Sequence, residues 1–182
     1  MAIFFITFLL LGTFHLVQSG EMPKTEVKPE SPTDAMVVPV CSEPGPHLQR
    51  IGGKFGLQFD IPKSEVKVLG GTPDVDYVRY VIKPKTGDGY LELWFGPYAF
   101  NPDPEKELLI RSVSTQKRDI VSTSGERMGT DSSGKLQTGE LWRHTFFIIS
   151  GMNGARFRAG QENTPLFNRI IDSACYVLYS KR

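Results

Sequence analysis

The chain has three histidines and two cysteines, the side chains best suited to acid–base, nucleophilic or soft-metal chemistry. A hydrolase needs a nucleophile, a base and an orienting group in contact. His15 falls in the apolar N-terminal run, leaving His47, set among prolines, and His144, which shares a strand face with Trp142 and Phe146. A histidine between two large apolar side chains is a hydrogen-bonded packing residue. If instead a cleft opens onto it beside carboxylates, it becomes a candidate general base. No Gly-x-Ser-x-Gly elbow presents a serine.

Metal chemistry finds little to work with. Cys41 and His47 are the only soft ligands close in sequence, with no second pair at zinc-site spacing. Asp74 and Asp76, or Asp103, Glu105 and Glu107, offer oxygens, but none fits the calcium loop pattern with its glycine. Gly70-Gly71 and the turn from Gly151 to Gly154 lack both the Lys-Ser/Thr pair and the strand-then-helix setting of a phosphate cradle. No cofactor and no metal are expected.

The charged residues that invite a binding role are Arg143, Arg156 and Arg158, with Trp94, Tyr90 and Glu92 as a second stripe. Their placement depends on the stretch Gly139 to Tyr179. Residues 142–149 alternate, so Trp142, His144, Phe146 and Ile148 leave one face of a strand, and Arg143, Thr145, Phe147 and Ile149 the other. Asn153-Gly154 is the strongest hairpin signal in the chain, since Asn and Gly adopt positive φ cheaply. A two-residue loop there pairs even positions with odd ones. It puts Arg156 and Arg158 on the Arg143 face and Phe157 on the Trp142 face. The arginine face would suit an anionic ligand or partner; the plain alternative is a solvent face covered by arginine stems.

A helix follows, with Thr164 as N-cap and Pro165 at the first helical position. Phe167, Ile170, Ile171, Ala174 and Val177 or Leu178 recur at helical spacing, and this stripe needs a sheet to lie on. Earlier, Phe55, Leu57, Phe59 and Ile61 alternate up to Pro62, and Tyr77–Lys83 and Tyr90–Phe95 flank a hairpin at Asp88-Gly89. Pro104 opens either a short helix or a lead-in to a strand at Leu108–Val113. Arg118–Ser124 reads as a strand, and Gly125–Gly139, rich in Ser, Thr, Gly and Asp, as a turn or hairpin tip. The fold class expected is α+β, a central antiparallel sheet with the C-terminal amphipathic helix on one face.

Residues 1–19 carry no charged side chain and fit a secretory signal peptide cleaved after Ser19, with small residues at Val17 and Ser19. The alternative is an uncleaved anchor, although Gly12, Thr13, His15 and Gln18 interrupt the apolar run. Prolines 23, 29, 32, 39, 44 and 46 mark residues 20–50 as an extended arm in which Met36, Val37, Val38 and Val40 either add an edge strand or lie along the domain; residues 51–182 form one domain. A secreted or periplasmic chain with two cysteines most economically pairs Cys41 with Cys175, stapling the arm to the helix; two separate thiols are the alternative. A net charge of +1 argues against bulk nucleic-acid binding, and after signal cleavage no stable membrane insertion is expected.

With FGLQFDIP in the first strand, an antiparallel meander, and a strand-strand-helix close ending FNRIIDSACYV, residues Ile51 to Leu178 resemble the PsbP-like and DcrB-like group of small extracytoplasmic domains. That resemblance implies a sheet with helices packed on it and a non-enzymatic accessory or binding role; it carries over no site residue, and the group does not predict the proline-rich arm or the cysteine pair. Two functions follow from the sequence: an exported non-catalytic binding module, or an extracytoplasmic hydrolase or metal-dependent enzyme using His144.

Overall fold

The computed structural model describes residues 34–52, 56–73, 77–97 and 103–178. Phe55, Asp74, Asp76 and the signal-peptide segment lie outside them. The described chain is α+β and mostly strand: β1 (Met36–Val38), β2 (Leu48–Gly52), β3 (Leu57–Pro62), β4 (Val66–Pro73), β5 (Val78–Pro84), β6 (Tyr90–Gly96), α1 (Lys106–Arg111), β7 (Ser112–Ser122), β8 (Arg127–Leu136), β9 (Leu141–Ile148), β10 (Met152–Ala159), α2 (Thr164–Asp172) and β11 (Cys175–Tyr176).

Eight strands form one open sheet in the order β1-β7-β8-β9-β10-β6-β5-β4, and three form a second in the order β11-β3-β2. Two meanders, β4-β5-β6 and β7-β8-β9-β10, join through the antiparallel pairing of β10 with β6. The large sheet is mixed rather than purely antiparallel, because β1 pairs in parallel with β7, Met36 beside Ile120. The apolar patch in the arm therefore adds an edge strand, and β2 also draws residues 48–52 into the fold, against β3.

Alternation explains the core. In β3, Leu57, Phe59 and Ile61 are fully buried while Gln58 and Asp60 between them stay half-buried. Phe59 meets Phe95 of β6 and Phe147 of β9 edge-on, at centroid distances of 5.8 and 5.7 Å. From α2, Phe167, Ile170 and Ile171 enter the same cluster, and the ring of Phe167 lies 5.4 Å from that of Phe157 on β10. The helix stops at Ser173, whose N–H bonds Arg169 and Ile170 carbonyls and whose Oγ accepts from the Asp60 N–H at 2.9 Å.

Four expectations are corrected. The β9–β10 register pairs Ile148 with Met152, so the connection is the three residues 149–151, with positive φ at Ser150 and Gly151. Asn153 is not in the turn: it is a strand residue whose Nδ2 donates to the Ile149 carbonyl at 2.8 Å and so braces the loop. Even positions therefore pair with even, and every side chain of β10 changes face relative to the two-residue reading. Residues 127–136 are a ten-residue strand, not a hairpin tip. Their small residues serve close approach: a Cβ at Gly129, φ +150°, would fall 1.9 Å from the Phe146 carbonyl oxygen. Position N-cap belongs to Asn163, with Thr164 inside the helix. Finally, Cys175 lies beyond α2, in β11 against Gln58 of β3.

Candidate functional site

Each face of the sheet carries its own cluster of arginines around a buried carboxylate. On the face that carries Phe147 and Phe157, β8 and β9 place Asp131 and Arg143 on the floor of a cavity of about 820 Å³, walled by β7, β8, β9 and α2. Arg143 Nε donates to Asp131 Oδ1 at 2.8 Å, and its Nη atoms donate to Asn168 Oδ1 at 3.1 Å and Asp172 Oδ1 at 2.7 Å on α2. Asp131 also accepts from Thr145 Oγ1 at 2.7 Å and from Arg118 Nε at 2.8 Å. Burial would push the Asp131 carboxyl up, but the charge and hydrogen bond of Arg143, with Thr145 and Arg118, hold it below the ordinary carboxylate range. Burial likewise works against the Arg143 cation, and Asp131 and Asp172 outweigh it, raising its pKa. A carboxylate held ionised, with both oxygens engaged, is a poor proton donor and a poor base.

The reverse face carries the second cluster. Glu92 on β6 is buried to 1% exposure beneath two arginines: Arg79 from β5 pairs with its Oε1, and Arg156 Nε from β10 donates to Oε2 at 2.7 Å. The same guanidinium groups lie over the Trp94 ring, Arg79 at 5.8 Å and Arg156 at 4.5 Å from the centroid. Arg156 also reaches Glu105, at 3.3 Å, ahead of α1. Arg158 forks onto Glu140; this hydrogen bond lowers the Glu140 pKa and raises that of Arg158.

The three arginines expected together are thus divided. Arg143 pairs in register with Phe157 and sits in the cavity floor, while Arg156 pairs with His144 and Arg158 with Trp142 on the reverse face. The cause is the register change at residues 149–151. Trp94, Arg156 and Arg158 do share a face, and Tyr90 beside them is exposed, but Glu92 is an internal counter-ion and not part of an exposed stripe. Arg79 was missed; its direct pairing with Trp94 follows from the hairpin at Asp88-Gly89 once β5 and β6 are aligned. Asp131, too, was overlooked inside a segment read as a turn. His144 is 5% exposed on the face away from α2, so it lies neither in the cavity nor under the helix. Cys41 and Cys175 form a disulfide, with Cα atoms 4.9 Å apart across 134 residues of sequence.

Among the described residues no group of three or more His, Cys, Asp or Glu side chains converges as a metal site, and no helix is long and apolar enough to cross a membrane. Compared with known families, with curated proteins and with solved structures, the chain matches none.

Proposed function

We propose that this chain is an exported, non-catalytic binding or accessory domain that captures an anionic ligand or an acidic protein surface on the reverse face of its large sheet. The observation that carries the reading is the posture of Arg79 and Arg156. Both are anchored on Glu92 and against Trp94, yet their side chains stay 49% and 39% exposed. A guanidinium already fixed in place loses less conformational freedom when a carboxylate arrives, so its donors are pre-organised for capture. Arg158 and Tyr90 extend the same surface. In this reading α2 is a layer on the opposite face of the sheet, tied down by Arg143 through Asn168 and Asp172. The disulfide supports export, because such bridges persist in oxidising compartments. The likeness to PsbP-like and DcrB-like domains belongs to the same proposal, on element order alone. The burial of His144 and the engaged oxygens of Asp131 weigh against a general base at either place.

The test replaces Arg79, Glu92 and Arg156 together by Gln, so that no buried charge is left alone. Citrate, oligoglutamate and polygalacturonate serve as anionic probes. The wild type should bind at least one of them saturably, and the triple variant should keep its fold and lose about tenfold in affinity. Absence of saturable binding by the wild type, or equal affinity in the triple variant, contradicts the reading.

A further inference from the structure

The cavity beside α2 has two distinct ends. One lies at the cross-strand row of Ser114, Lys135 and Leu141, and the other at the row of Arg118 and Asp131. Along it α2 presents Thr164, Asn168 and Asp172 at four-residue spacing, hence from one helix face. Asp172 reaches Arg118, at 3.7 Å, and Arg143, so the last turn of the helix stands at the Arg118 end. Asp34 joins that end too. Because β1 sets Met36 beside Ile120 in parallel, Asp34 comes level with Arg118. The two ends carry opposite surplus charge. At the Arg118 end three carboxylates, Asp34, Asp131 and Asp172, meet two guanidinium groups, Arg118 and Arg143. Among the described residues Asp34 has no cationic partner, and at the far end the half-buried Lys135 has no carboxylate. Lys135 and Asp131 are four residues apart on one strand, about 13.6 Å at about 3.4 Å per residue.

We propose that this cavity is a site for a short zwitterionic peptide of about four residues, bound extended, with its α-ammonium at Asp34 and Asp172 and its α-carboxylate at Lys135. Length favours that occupant, since an extended chain of about four residues spans the distance between the charged ends. The middle of the cavity suits a peptide backbone. Gln116 and Ser133, paired across β7 and β8, offer both donors and acceptors, and Asn168, whose Oδ1 is taken by Arg143, keeps its amide N–H₂ for a carbonyl. Phe157 gives the floor an apolar patch, and a volume of about 820 Å³ is ample for such a ligand. Other occupants answer less of the site. A simple anion meets surplus carboxylate at one end, a neutral sugar leaves both charged ends unanswered, and an internal segment of a longer chain brings no terminal charges. The site lies on the opposite face of the sheet from the anion-binding surface and does not rest on that reading.

The experiment is calorimetric titration of the full chain with tetraalanine, its N-acetyl form, its C-terminal amide, and maltotetraose. Tetraalanine should bind saturably, and each capped form should bind about tenfold more weakly. Two variants assign the ends. Lys135→Gln should weaken tetraalanine about tenfold and leave the amide as it was, whereas Asp34→Asn should weaken tetraalanine and leave the N-acetyl form as it was. Absence of saturable tetraalanine binding overturns the proposal, as do equal affinities for free and capped forms, variants that weaken free and capped forms alike, or preference for maltotetraose. The Nε–H signal of Arg143 should shift on titration with tetraalanine. Shifts at Arg79 and Arg156 with Arg143 unmoved would place the peptide on the reverse face and overturn the cavity assignment, while loss of the anion-binding reading in its own triple variant would leave this one standing.

Discussion

Arg143 and Asp131 meet between β9 and β8 at 2.8 Å, with side chains 5% and 3% exposed. Removing one member of a buried pair leaves the other charge without its main partner, which costs about 3–5 kcal/mol. Arg118 and Thr145 remain on Asp131, so Arg143→Met should fall near the lower figure, about 3 kcal/mol. Urea unfolding reads this directly. A loss under about 1 kcal/mol would mean the pair is incidental to the fold.

Asp131 also makes a statement about pH. Its folded pKa lies below its ordinary value of 3.8, so the protonated form is favoured more in the unfolded chain. The stabilisation is complete above the unfolded pKa and is lost as pH falls through the lower folded value. Wild-type stability should therefore decline below about pH 4, and Asp131→Asn, less stable at neutral pH, should show a shallower acid decline. Parallel curves for the two proteins between neutral and acid pH would refute the assignment.

The disulfide makes a separate prediction. Closing 134 residues between Cys41 and Cys175 contributes up to about 5 kcal/mol in the chain-entropy description. Near the bridge, Cys41 N–H bonds the Tyr176 carbonyl and Tyr176 N–H bonds the Pro39 carbonyl. Cys41→Ser/Cys175→Ser should lower the melting temperature and speed proteolysis around residues 36–41. Thiol titration of denatured, non-reduced wild type should find none; two titrating thiols would rule the bridge out.

His144→Gln separates packing from function. A buried polar side chain that loses its fit costs about 1–3 kcal/mol, so the variant should melt lower while binding anionic probes as the wild type does. Wild-type melting combined with loss of binding or of a turnover would return His144 to the site.

Strands with strict alternation were legible from sequence. β3, β5 and β6 stand where Leu57–Ile61, Tyr77–Lys83 and Tyr90–Phe95 placed them, because a half-buried strand writes its period into its residue types. What sequence hid was set by neighbours. Gly129 and Gly134 look like turn residues, yet each lets an adjacent strand or ring approach where a Cβ would collide, with Phe146 or with Trp142. Asn153 looked like the turn and is its brace. That single displacement parted Arg143 from Arg156 and Arg158 and concealed both clusters, Arg143 with Asp131 and Arg156 with Glu92. Neither carboxylate advertises burial: Asp131 draws Arg118 and Arg143 from the strands on either side of it, and Glu92 draws Arg79 from its neighbour and Arg156 from 64 residues away, pairings that appear only once the register is known.

The central claim, that anions are captured on the reverse face and not in the cavity under α2, is tested most directly by nuclear magnetic resonance. Arginine Nε–H and tryptophan indole signals would be followed while whichever anionic probe binds is titrated in. Saturable shifts at Arg79, Arg156 and Trp94, with Arg143 and Arg118 unmoved, are the predicted result. Shifts confined to Arg118 and Arg143, with the Arg79, Arg156 and Trp94 signals unchanged, would contradict it.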